Sequence, residues 1–131
     1  MNDVTIWTAG VQPHRIVREL PFKKDKYNKV AVNKYFQVPG YENIYVIGHN
    51  ASSHYSPSGQ LAGQQGEQVA QILADVAAGR EPKEPKEIRL RGTLGSLGKS
   101  DGFGSIFSQP LTGLLPRLTK SGILWLQKRH Y

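Results

Sequence analysis

Apolar positions change their period along this chain, and the changes divide it into elements. Val4 to Thr8 (VTIWT) is β-branched and aromatic and predicts a strand. It closes at Ala9-Gly10, where glycine admits tight backbone geometry. Residues 11–28 are polar and basic with two prolines and predict a loop with one helical turn. From Lys29 to Val38, Val30, Val32 and Phe36 share one parity with polar Lys34 between them, which predicts a second strand. Pro39-Gly40 is a turn signal, and Ile44 to Ile47 predicts a third strand. The short turn between the last two makes an antiparallel hairpin the simplest pairing.

The period then lengthens. Residues 51–59 are rich in Ser, Pro and Gly and read as a loop. A helix is expected from Ser58 or Gly59, with Leu61, Val69, Ile72, Leu73 and Val76 as its apolar positions. Gly79 and Pro82 predict its stop. The connector GREPKEPKE leads to Ile88–Leu97, which reads as a strand pair broken by Gly92 and Gly95. Gly95, Gly98, Gly102 and Gly104 read as flexible hairpin turns, because no lysine-serine pair or strong helix start follows to make a phosphate loop. From Leu111 to Tyr131 leucines recur at helical spacing, interrupted by Pro116 and Gly122. That pattern predicts two short helices or one bent one. No internal repeat is visible. The expected fold is α+β: a small, mainly antiparallel sheet, one long central helix and a C-terminal amphipathic helix. Residues 1–79 and 80–131 form its two parts, packed as one unit.

Composition narrows the chemistry. The 131 residues suit one domain and contain no cysteine, which excludes disulfides and thiolate metal sites. The four histidines, His14, His49, His54 and His130, have no HxxH or HExxH spacing, so no metal site is expected. No Ser/His/Asp arrangement is visible. The net charge of +7 is unevenly placed: +1 in residues 1–79 (seven basic, six acidic) and +6 in residues 80–131 (ten basic, four acidic). Such a basic half either faces an anionic partner, nucleic acid or lipid headgroups, or is simply solvated. Aromatics do not interleave with the basic residues as a nucleic-acid stacking platform would require. MNDVTIWTAG lacks a signal-peptide layout, and no run approaches a membrane span. Met1 leads almost directly into an apolar stretch, which points to a chain cut from a longer one.

Two stretches carry candidate chemistry. In SGQLAGQQG at the helix start, Gln60 and Gln64 share a face, and glutamine hydrogen-bonds carbonyls and amides. A helix N-terminus favours a partially negative atom. An electron-poor ring with carbonyls, a flavin or a quinone, would suit this end; so would water on a solvated glutamine face. In LTGLLPRLTKSGILWLQKRHY, leucines combine with Arg117, Lys120, Lys128, Arg129, Trp125 and Tyr131. This fits a helix lying on an anionic membrane surface, or an amphipathic helix packed on the core.

Taken in order, DVTIWTAGVQP (3–13), VNKYFQVPGYENIYVIG (32–48), GQLAGQQG (59–66), RGTLGSLGK (91–99) and LTGLL (111–115) resemble the C-terminal part of the type II NADH dehydrogenases. These are FAD-dependent, non-pumping NADH:quinone oxidoreductases of the membrane surface. The first three motifs are shared loosely with the wider pyridine nucleotide-disulfide oxidoreductase group.

The resemblance implies roles. Ala9 and Gly10 would return the chain to the FAD domain. Gly48 matches a Gly-Asp pair whose aspartate contacts FAD, and His49 stands in the aspartate's place. Gln60 and Leu61 would meet the flavin, and Gln60 and Gln64 would line the quinone pocket. Leu114, Leu115, Arg117, Leu118, Lys120, Trp125, Lys128 and Arg129 would form the membrane anchor at the quinone entrance, on the cytoplasmic face. No GxGxxG follows a strand, so both dinucleotide fingerprints, for FAD and for NADH, are missing. The fragment is therefore expected to be inactive and without flavin, to need the absent N-terminal FAD and NADH domains, and to self-associate through apolar surface. A non-enzymatic membrane-surface or partner-binding domain is the alternative, and a nucleic-acid-binding module a minor one.

Overall fold

A computed structural model of the chain describes residues 3–8, 10–90, 92–106 and 109–128. They fall into two compact units, Met1–Ile88 and Arg89–Tyr131. The mixture of helices with a three-stranded antiparallel sheet is the expected α+β class.

The first unit is organised by α2 (Gly59–Ala77), preceded by a single five-residue helix, α1 (Arg15–Glu19). Ser58 caps α2, its hydroxyl accepting the Leu61 N–H at 3.1 Å. At the other end Gly79 adopts φ +67. Gly79 N–H donates to the Val76 carbonyl (3.0 Å) and Arg80 N–H to the Asp75 carbonyl (2.8 Å), a Schellman closure. The hydrophobic contact that usually accompanies this closure is replaced here by an ion pair, Arg80 Nη2 to Asp75 Oδ1 at 2.8 Å. The face of α2 turned inward carries Leu61, Gln65, Val69, Ile72 and Asp75. Three of the five expected apolar positions are therefore in the core; Leu73 and Val76 are exposed. Val30, Val38, Ala51 and Ile88 complete the core.

The segments expected as strands in this unit are not strands. Val4, Ile6 and Trp7 are 77%, 82% and 84% exposed, and no β-bridge forms at residues 3–8 among the described residues. An extended run without a neighbour has no ladder to join. The expected hairpin of 29–38 and 44–47 contracts to one antiparallel bridge, Gln37 to Tyr45. The cause is a turn inside the first run. Asn33 Oδ1 accepts the N–H groups of Tyr35 (2.9 Å) and Gln37 (3.0 Å), and Phe36 sits at φ +63.

The same turn occurs eight residues earlier. Asp25 Oδ1 accepts the N–H groups of Tyr27 (2.8 Å) and Lys29 (3.0 Å), with Asn28 at φ +62. In both, a lysine lies over the following tyrosine ring. DKYNK and NKYFQ are thus one five-residue device used twice, a local repeat that the sequence pattern concealed. Between them Val30 is fully buried, and it pairs in parallel with Ala51.

In the second unit β1 (Gly92–Leu97), β2 (Asp101–Ile106) and β3 (Gln109–Thr112) form an antiparallel meander, and α3 (Leu114–Lys128) packs on it. Ile88 belongs to the first unit's core rather than to a strand. The glycines correct the flexible-turn expectation. Gly98 (φ +62) does make the turn, but Gly95, Gly102 and Gly104 are within strands. A Cβ on Gly104 would lie 2.2 Å from the Thr93 carbonyl oxygen, and one on Gly102 would lie 3.0 Å from the Arg117 nitrogen of α3. They are absent side chains that let helix and strands approach closely. α3 is one helix rather than two, because Pro116 falls in its first turn, where a backbone N–H has no intrahelical partner to lose.

Candidate functional site

Gly48, His49 and Asn50 form a single 3-10 turn. Two contacts fix that turn against α2. Gly48 is at φ +65, and a Cβ there would stand 3.1 Å from the Ala62 Cβ. Its N–H donates to Gln65 Oε1 at 2.7 Å in buried surroundings. The Gly48 carbonyl in turn accepts from Ala51 N–H at 3.3 Å. The glycine turn is therefore held against the first two turns of α2, and His49 follows it at the surface.

The helix end beside the turn is electrostatically open. The first turn of α2 has no acidic residue of its own to neutralise the positive end of the helix dipole. Gln60 is exposed and Gln64 half-buried. Leu61 is 1% exposed, and its N–H is taken by Ser58, so its side chain serves the core. This arrangement can seat a group rich in carbonyl oxygens. It offers no acid–base pair, and among the described residues no cluster of three or more metal-ligating side chains exists.

The structure brings Gly48 and His49 together with the α2 start that carries Gln60, Leu61 and Gln64. Gly10 lies in the exposed N-terminal segment, at φ +84, where a Cβ would meet nothing within 4 Å. Ala9 and Arg129 lie outside the described residues, as does the side chain of Lys128.

Sequence reasoning missed Gln65 as the residue that holds the turn, although a signal was present. Gln65 lies four residues after Leu61 and four before Val69, on the buried stripe. It also missed Asp25, whose Oδ2 accepts from the Ser52 hydroxyl at 2.8 Å and ties the first turn to the segment after Ala51.

In the second unit, Leu114, Leu118 and Trp125 recur at i, i+4 and i+11 and share one side of α3. They are 52%, 55% and 57% exposed, and Leu115 beside them is 70% exposed. Pro116, roughly half a turn away, is buried. Arg117 and Lys120 are half-buried, and Lys120 Nζ donates to Ser96 Oγ at 3.3 Å. No helix among the described residues is long and apolar enough to cross a membrane.

Comparison with known proteins gives these features a context. No family model matches the chain. It is 43% identical over 129 residues to the NADH dehydrogenase-like protein YutJ of Bacillus subtilis, covering 98% of this chain and 36% of that protein. It is 34% identical over 118 residues to the type II NADH:quinone oxidoreductase of Staphylococcus aureus, covering 83% of this chain and 28% of the relative. The chain spans about a third of the length of the curated relatives it matches. By this kinship the chain is a homologue of the type II NADH dehydrogenases, and it is consistent with a C-terminal fragment of one.

Proposed function

We propose that the chain is the C-terminal part of an FAD-dependent NADH:quinone oxidoreductase. One observation carries the reading: in a homologue of these enzymes, the Gly48–His49 turn is fixed against an open helix N-terminus. The residues present fit a flavin at that end, since an electropositive N-terminus favours the ring's carbonyl edge. FAD, when bound, would supply the hydride acceptance and onward electron transfer. Gly48 and His49, with Ala9 and Gly10, would hold the cofactor, and Gln60 and Leu61 would form the helix end that faces it. Gln60 and Gln64 would orient a quinone through their amides. His49 is the departure: an imidazole accepts hydrogen bonds through one ring nitrogen only, where a carboxylate accepts through two oxygens.

The fragment alone is inactive in this reading, because the N-terminal FAD and NADH domains are required. The exposed side of α3 would lie on the membrane's cytoplasmic face, with Arg117, Lys120, Lys128 and Arg129 toward anionic headgroups. Exposed apolar surface elsewhere gives a route to homo-oligomers. The test is to purify the full-length parent and record its flavin absorbance and NADH:quinone activity. A yellow, active protein is expected, with tighter flavin retention in His49→Asp. A colourless parent unchanged by His49→Asp would overturn the redox reading. The exposed apolar side of α3 would then favour the second reading, a membrane-surface domain without catalysis.

A further inference from the structure

Gln65 belongs to two places at once. Its Oε1 takes the buried Gly48 N–H at 2.7 Å, and the residue also lines a cavity of about 470 Å³ within the first unit. That volume falls in the range of small-molecule sites, roughly 300–1,000 Å³. Val32, Phe36 and Pro85 are apolar parts of the lining, and Ser53, Gln65 and Lys86 are polar ones.

The commitment of Oε1 fixes what Gln65 offers there. Gly48 N–H needs an acceptor, so the amide cannot flip, and its other half is Nε2 with two N–H donors. Among the described residues Nε2 has no hydrogen-bond partner. It is not fully enclosed either: among the described residues, the enclosed side-chain atoms without a partner are Gln68 Oε1 and Asp75 Oδ2. An entering group can therefore reach it. Ser53 Oγ accepts the Tyr55 N–H at 3.0 Å and keeps its own hydrogen to donate, whereas the Ser52 hydroxyl is directed to Asp25. Lys34 is held by Glu84 at 3.2 Å. Lys86 is exposed and in no ion pair with a described residue, and Glu87 on the same rim is the opposing charge. Two open donors, one ammonium and an apolar wall suit an anionic acceptor that carries an apolar body.

We propose that this cavity binds a monocarboxylate with a short apolar body. The carboxylate accepts from Gln65 Nε2 and Ser53 Oγ, Lys86 supplies the counter-charge, and the body lies along Val32, Phe36 and Pro85. A small inorganic anion would leave those three side chains uncovered. The cavity uses none of the residues assigned to flavin or quinone. Because Gln65 holds both the ligand and the Gly48 turn, occupancy is felt at the Gly48 amide.

The test titrates phenylacetate into the 131-residue chain at low salt and about pH 8. It is followed by backbone amide and glutamine side-chain NH2 chemical shifts. Saturable shifts are expected at the Gln65 NH2, at residues 52–55 and at the Gly48 amide. Phenylacetamide has the same shape without the charge, and acetate has the charge without the ring; each should bind about tenfold more weakly. Gln65→Glu keeps an oxygen for the Gly48 N–H but puts a second oxygen where the donor was. Phenylacetate binding should then fall at least about tenfold while the Gly48 amide keeps its position. Lys86→Glu, on the exposed rim, should weaken binding about threefold or more with the fold intact, and it is the deciding variant if Gln65→Glu does not fold. No saturable shifts, equal binding of phenylacetamide or acetate, or binding unchanged in either folded variant would each overturn the proposal.

Discussion

Single residues hold the candidate cofactor turn in place, and their chemistry was only half legible. Gly48 was visible as a glycine after an apolar run. Its φ of +65 and the Ala62 Cβ beside it were not, because both depend on where α2 docks. Gly48→Ala should destabilise the first unit by about 1–3 kcal/mol, from the left-handed backbone and the close contact together. Gln65→Leu should cost a similar amount, roughly 1–3 kcal/mol, because it strands the buried Gly48 N–H. Urea unfolding of the two variants checks both. If either matches the parent, the turn is not fixed by that contact. A polar side chain on the inner stripe reads as a flaw in a hydrophobic pattern, and only its buried partner explains it.

Turns and caps follow the same logic at the scale of elements. α2 was readable at both ends, since Ser58 and Gly79 are residue types whose local chemistry starts and stops helices. The paired turns at 25–29 and 33–37 were not. Their sequences share only a carboxylate or amide oxygen at the first position and the Lys-Tyr step that follows. Asp25 shows what that oxygen does. Burial pushes its carboxyl upward, but the N–H groups of Lys29 and Tyr27, the Ser52 hydroxyl and the Lys29 charge together hold it below its ordinary value of 3.8. A carboxyl lowered by folding stabilises the protein above its unfolded value and loses that contribution as pH falls through the folded one. The parent should therefore lose stability below about pH 4, and Asp25→Ala should be less stable at neutral pH with a flatter acid limb. Chemical denaturation at stepped pH checks this; parallel acid limbs for the two proteins would refute it.

The whole molecule consists of two units, each with its own exposed apolar surface, and the second makes the clearest prediction. Leu114, Leu118 and Trp125 form an outward stripe opposite the buried Pro116. Vesicles rich in anionic lipid should co-sediment the chain, and Leu118→Asp should abolish most of that binding without unfolding α3. Equal retention of parent and variant would assign the stripe to a protein contact. Sequence alone determined the α+β class, the limits of α2, the kinship with the type II NADH dehydrogenases and the amphipathic C-terminus. The kinship rests on five motifs in their order along the chain; the others rest on local propensity, capping chemistry and helical period, which neighbouring residues settle among themselves. Tertiary structure alone decided that Val4–Thr8 stays unpaired, that the 29–38 run folds into a turn, that three glycines are packing surfaces, and that Gln65 and Asp75 are buried. Each of those depends on which backbone or side chain arrives from a distant part of the chain, and no local pattern carries that information.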